Sequence, residues 1–186
     1  MSNARELILQ TTCDLMEKQG YHGTGLNEIV KESGAPKGSL YHYFPEGKEQ
    51  ITSEAVLQSG KATAERIQNG VSGNNNAAKA IHDFILNIAD HVESSGFAAG
   101  SPLTAVAMET ATKSERINSA CRDAYTLLET AFKEKLLESG FTKLKAEELG
   151  TFITATVEGG IILSRTYHSG NPLRTVAKYL KVLLSQ

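Results

Sequence analysis

The chain has 186 residues, 40% hydrophobic and 22% charged, with a net charge of only −2. That is enough apolar material for a packed core, and it excludes both a disordered polyelectrolyte and a bulk polycation. Cys13 and Cys121 are far apart, form no CxxC or Cys/His cluster, and read as buried reduced thiols. The opening MSNARELILQ has no apolar signal core, and no stretch approaches the roughly 18 apolar residues of a membrane span. The expectation is a cytoplasmic protein without membrane contact.

Helical periodicity dominates the chain from its start. Leu7, Ile8, Thr11, Leu15 and Met16 predict a first helix over about 4–19, stopped at Gly20. GYHGTG follows; a phosphate loop would need a preceding strand, and here a helix precedes it. A second helix, about 26–33, turns Leu26, Ile29 and Val30 inward and stops at Gly34, and a third covers only about 37–43. A fourth, from near Gly47 to Asn69, has a thin apolar seam of Ile51, Ala55, Ala62 and Ile67 and reads as a connector. GVSGNNN at 70–76 is the clearest linker.

The remainder is helical too. Ala78, Ile81, Ile85, Ile88 and Val92 stripe a helix over about 77–95. SGFAAGSP breaks the chain, Pro102 opens a short helix to about Thr112, and Ser114 caps another over about 115–139. Helices over about 144–168 and 172–185 complete an all-α fold of about nine helices. From Phe152 to Leu163 nearly every face is apolar or small; Gly159 and Gly160 would let another backbone approach. A subunit interface is the preferred reading, a central core helix the alternative.

The segment SGAPKGSLYHYFPEGK carries the functional signal. At 100° per residue, Leu40 and Phe44 share one side of the third helix, while Gly38, Ser39 and His42 share the other, with Tyr41 at the edge. Two short helices joined by a tight glycine turn, the second with an outward polar face, form a helix-turn-helix pattern. Glycine at 38 would let the backbone approach phosphate or base edges closely, at some cost in helix stability. The helix N-terminus offers free N–H groups, Lys37 and Lys48 offer charge, and Tyr41 and Tyr43 offer hydroxyls and ring faces. Residues 1–50 hold five bases against seven acids. Any DNA binding therefore depends on placed contacts rather than general attraction, and a protein-binding scaffold module is the alternative.

Residues 4–52 resemble the DNA-binding domain of TetR-type transcriptional repressors. The resemblance lies in GYHGTGLNEIVKESGAPKGSLYHYFPEGKEQI: the glycine-aromatic opening, the Ile-x-x-x-x-Gly turn, KGSLYHYF and the following Lys-Glu. GAPKGSLYHYFPEGK, together with Gly100-Ser101-Pro102 and Glu158-Gly159-Gly160, resembles the LmrA/YxaF-like branch. This chain differs from the wider family at Gly25, where Thr or Ser is common, near Pro36, where Ser is common, and in FPEGK, one residue longer than the usual Phe-x-x-Lys.

The resemblance implies an N-terminal helix-turn-helix DNA-binding domain over about 1–50 and a C-terminal effector-binding and dimerisation domain over 51–186, bridged by the connector at about 47–69. It implies a homodimer on a near-palindromic double-stranded DNA operator, released by a small hydrophobic or aromatic effector and controlling an efflux pump or degrading enzyme. Lys37, Tyr41, Tyr43 and Lys48 would position the DNA backbone. Gly38, Ser39 and His42 would lie nearest base edges, and Thr24 and Asn27 would touch phosphate. Candidates for the effector pocket are Phe84, Ile88, His91, Phe97, Leu103, Met108, Tyr125, Phe132, Phe152, Thr156 and Glu158. No nucleophile–base–orienter set appears, and His82 and His91 are too far apart for an i, i+4 metal pair, so neither catalysis, metal nor cofactor is expected.

Overall fold

The computed structural model describes residues 4–185. Met1–Asn3, part of the opening judged to lack a signal core, lie outside the described residues, as does Gln186. The described residues form nine α-helices and no strand: α1 (Ala4–Gly23), α2 (Leu26–Ser33), α3 (Lys37–Tyr43), α4 (Lys48–Val71), α5 (Ala77–Ser94), α6 (Pro102–Thr110), α7 (Glu115–Glu138), α8 (Lys143–Tyr167) and α9 (Asn171–Leu184). No described helix is long and apolar enough to cross a membrane.

The chain divides into two compact units. One comprises the residues up to Lys61 together with Ser101–Ala124; the other comprises Ala62–Gly100 and the residues from Tyr125 onward. The divisions fall inside α4 and α7. The short α6 and the first part of α7 therefore join the N-terminal helices, a long-range association that no local pattern announces.

In the first unit Ile8, Leu9, Cys13, Leu15, Ile29, Ala35, Leu40, Phe44, Ile51 and Ala55 form a continuous core. The inward face of α1 differs from the expected one. Leu9, Thr12 and Cys13 are buried while Leu7 is exposed, and the Thr12 hydroxyl is satisfied by the Ile8 carbonyl at 2.7 Å. The helix also continues past Gly20, which absorbs a kink at φ 73°, ψ 179°. Likewise the buried seam of α4 passes through Ala64 instead of the exposed Ala62. Gly60 brings α4 against α7, since a Cβ there would lie 2.6 Å from the Ala124 Cβ and 2.9 Å from its Cα. Both cysteines are buried; burial pushes the Cys13 thiol up to about 12 and that of Cys121 to about 11.

In the second unit α5, α8 and α9 pack together. Asn76 caps α5 by accepting the Lys79 N–H at 2.9 Å, and Thr142 caps α8 by accepting that of Lys145. Arg174 of α9 clamps α5, donating to both Glu93 carboxylate oxygens at 2.8 and 2.7 Å and to Asp90 at 2.8 Å. The Gly170 N–H also donates to Glu93 Oε1, the oxygen that accepts from Arg174 Nη1, at 2.8 Å. Hydrogen bonds from Arg174 and from that amide hold the Glu93 carboxyl down to about 2.

The two glycines of α8 do different things. A Cβ on Gly160 would lie 2.9 Å from Leu173 of the chain's own α9, whereas one on Gly159 would meet nothing within 4 Å. Close approach within the subunit therefore accounts for Gly160. Phe152, Ile162 and Leu163 of α8 are exposed rather than buried on several sides, and so are Tyr179, Val182 and Leu183 of α9.

Candidate nucleic-acid interface

The turn between α2 and α3 is built by Gly34, whose φ of 64° and ψ of 7° place it in the left-handed region where glycine costs least. Ala35 then turns inward and is 7% exposed. Pro36, at φ −55°, starts α3, and its carbonyl accepts the Ser39 N–H at 2.8 Å. That commits one of the first-turn amides expected for phosphate. Leu40 and Phe44 are completely buried and fix the roll of the helix. Arg5 stacks over the Phe44 ring at 5.7 Å and pairs with Glu54 of α4.

With Leu40 and Phe44 inward, Lys37, Gly38, Tyr41 and His42 are exposed. Tyr41 keeps half its surface open. Beyond the adjoining backbone of α3 and the flanking residues, nothing lies within 4 Å of where a Gly38 Cβ would sit. The chain's own packing therefore gives no reason for glycine at this place. Ser39 is half-buried beside this face. Tyr43 is also half-buried, its ring edge-on to His42 at 5.1 Å and to Phe44 at 6.5 Å. Asn27, at the start of α2, is exposed.

Thr24 does not reach this surface. It is 1% exposed and its hydroxyl donates to the Gly20 carbonyl at 2.8 Å. A small β-branched residue after the α1 kink serves the interior, which sequence spacing alone did not distinguish from a phosphate contact.

Lys48 opens α4 and is half-buried. Its ammonium sits 4.2 Å from the centre of the Tyr21 ring. Burial lowers its pKa, and the nearby Glu109 carboxylate works in the opposite direction. Glu109 of α6 is itself anchored at the α1 kink, accepting the His22 N–H at 2.8 Å. Arg116, from the start of α7, reaches Glu46 and the Ser53 hydroxyl and so braces the α3–α4 turn. Tyr21, Glu109 and Arg116 were not among the residues expected from sequence. The one available signal was that Glu109 is the single charged residue of PLTAVAMET.

The residues expected for an effector fall in both units. Leu103 and Met108 belong to the first unit and the others to the second. Leu103 and Phe132 are closed core at 3% and 2% exposure, whereas Met108 is 78% exposed. Phe84 meets Phe132 edge-on at 6.1 Å, and Phe97 stacks on His168 at 5.2 Å. Ile88, Tyr125 and Glu158 are half-buried, and His91 is exposed. Phe152 lies on the outer face of α8, and the Thr156 hydroxyl is committed to the Phe152 carbonyl at 2.8 Å.

The glycine-turned pair α2–α3, with an unencumbered polar face on its second member, is a helix-turn-helix. Residues 8–55 match the model of the bacterial regulatory proteins of the tetR family, and residues 77–179 match the LmrA/YxaF-like transcriptional regulator C-terminal domain. The chain belongs to the TetR family of transcriptional regulators, in its LmrA/YxaF-like group. It is 43% identical over 182 residues to the uncharacterized HTH-type transcriptional regulator YxaF of Bacillus subtilis, covering 98% of this chain and 95% of that one. It is 38% identical to the HTH-type transcriptional regulator LmrA of the same organism, covering 99% and 98%. Among solved structures, a regulatory protein TetR from Rhodobacter sphaeroides shares the fold with a TM-score of 0.84 at 17% identity, covering 97% of this chain and 98% of that one. Reduced Escherichia coli NemR superposes with a TM-score of 0.83 at 22% identity, covering 96% of each chain.

Proposed function

We propose that this chain is a cytoplasmic, ligand-responsive repressor that binds a near-palindromic double-stranded DNA operator as a homodimer. A small hydrophobic or aromatic effector, bound in the C-terminal domain over 51–186, releases it. The observation that carries this reading is the outward face of α3. Lys37, Gly38, Tyr41 and His42 stand clear on a helix whose roll is fixed by the buried Leu40 and Phe44. Lys37, Tyr41, Tyr43 and Lys48 position the DNA backbone, while Gly38, Ser39 and His42 face base edges. Asn27 adds a phosphate contact.

Dimerisation is supported by the exposed apolar side chains of α8 and α9 and by the open space beside Gly159. Two copies of α3 then enter successive major grooves about 34 Å apart. The connector over 47–69 carries the effector's influence to the DNA-binding domain over 1–50.

Tyr41→Ala tests the reading. Half of Tyr41 is exposed and nothing of the core depends on it. Helix content and melting temperature stay at the wild-type values, while affinity for a duplex selected by the wild-type protein from a random-sequence pool falls roughly tenfold, about 1.4 kcal/mol. Unchanged affinity places the reading helix elsewhere. Failure of the wild-type protein to select any duplex favours a scaffold module.

A further inference from the structure

Glu109 is the only charged side chain of α6, and it is directed at the α1 kink at Gly20 and the two residues that follow it. Two observations define the contact. The His22 N–H donates to Glu109 Oε2 at 2.8 Å. A Cβ on Gly20 would lie 2.0 Å from Glu109 Oε1, so glycine there makes room for the carboxylate as well as supplying φ 73°. Tyr21, between Gly20 and His22, carries the ammonium of Lys48 on its ring at 4.2 Å. Lys113 of the following turn reaches His22 Nε2 at 3.1 Å. An anion from α6 and the cation that opens α4 are thus seated on adjacent residues of one short segment.

We infer that Glu109 is an internal competitor of DNA phosphate for Lys48, so that the position of α6 sets how much of that lysine's charge is free to meet the operator. The inference rests on the proposed role of Lys48 at the DNA backbone and adds its regulation. A carboxylate that interacts electrostatically with a half-buried ammonium neutralises part of the field that a phosphate would feel. With Glu109 seated on the kink, the cation is screened from within the protein. With Glu109 withdrawn, less protein charge opposes the cation, and the solvent ions that gather there are displaced by a phosphate with a gain in entropy. The electrostatic interaction between the two groups agrees with this placement.

Glu109→Gln provides the test, since glutamine keeps an acceptor for the His22 N–H and removes the charge. Binding to the pool-selected duplex is followed by fluorescence anisotropy between low and physiological salt, for the wild-type protein, Glu109→Gln, Glu109→Asp, Lys48→Gln and the Lys48→Gln/Glu109→Gln pair. Glu109→Gln binds roughly three- to tenfold tighter at low salt, and its affinity falls more steeply with salt by up to about 0.9 in log–log slope, one phosphate's share. Glu109→Asp, which retains the charge, follows the wild-type protein, and the gain vanishes in the Lys48→Gln background. A structural role alone would leave the salt slope where it is.

If Lys48→Gln weakens binding but Glu109→Gln changes neither affinity nor slope, the competitor role is overturned and the role of Lys48 stands. The same gain in the Lys48→Gln background overturns it as well, as does Glu109→Asp behaving like Glu109→Gln. If Lys48→Gln binds like the wild-type protein, the lysine is not at a phosphate, and both readings fall together.

Discussion

Gly60 and Gly38 both lie inside helices of the same unit and are glycine for opposite reasons. At the α4–α7 crossing, a Cβ on Gly60 would collide with Ala124, its Cβ at 2.6 Å and its Cα at 2.9 Å. On the outer edge of α3, a Cβ on Gly38 would meet nothing within 4 Å. Glycine costs a helix about 1 kcal/mol against alanine. At Gly60 the crossing repays that cost through close packing. At Gly38 no contact within the chain does, so what needs the space must come from outside. A residue that the fold leaves unexplained is a better guide to function than one that the fold demands.

The largest expected effect breaks the crossing. Gly60→Val forces two backbones apart and destabilises the protein by about 3 kcal/mol, read as a lowered denaturant midpoint at constant slope. A midpoint within error of the wild-type value would mean that α4 and α7 have room to spare, and the contrast with Gly38 would lose its reference. Gly159 and Gly160 repeat the comparison in the second unit. Gly159→Leu fills open space on the outer face of α8 and leaves the helix content of the chain unchanged. In sedimentation equilibrium it weakens self-association roughly tenfold or more, since it alters a packed apolar surface. A dimer intact at wild-type strength would move the interface away from this face.

A smaller effect bears on the second unit alone. The Arg174 clamp holds the Glu93 carboxyl at about 2, below its ordinary 4.5. The depressed value adds stability that is fully present above about pH 4.5 and is lost as the pH falls from there toward 2. Arg174→Ala should remove that part of the acid sensitivity, visible as a flatter dependence of the unfolding midpoint over this window. The side chains are exposed, so the change is modest. Identical pH profiles for the two proteins would leave the clamp without energetic weight.

The two regions also differed in how far sequence exposed them. The expected limits of α2 and α3, 26–33 and 37–43, coincide with the observed ones, because Gly34, Pro36 and the Leu40/Phe44 spacing act within a few residues of themselves. The inward and outward faces of α3 follow from the same local geometry. Partners far along the chain were not legible. That α6 packs with α1, that Glu109 finds the Gly20 kink and that Gly60 faces Ala124 all depend on chain closure over about sixty residues or more. The surroundings of the effector candidates were not legible either, for apolar character gives no sign of whether a side chain ends in closed core, like Phe132, or in open surface, like Met108. Thr24 failed for a related reason: a hydroxyl next to a glycine turn serves an interior carbonyl as readily as a phosphate.

Gly38→Val offers the most direct measurement, with operator affinity and thermal stability determined on the same preparation. Valine is no worse a helix former than glycine and meets no neighbour, so the melting temperature should hold or rise slightly while affinity for the selected duplex falls at least roughly tenfold. Wild-type affinity at wild-type stability would show that no duplex presses against this edge of α3, and would contradict the account.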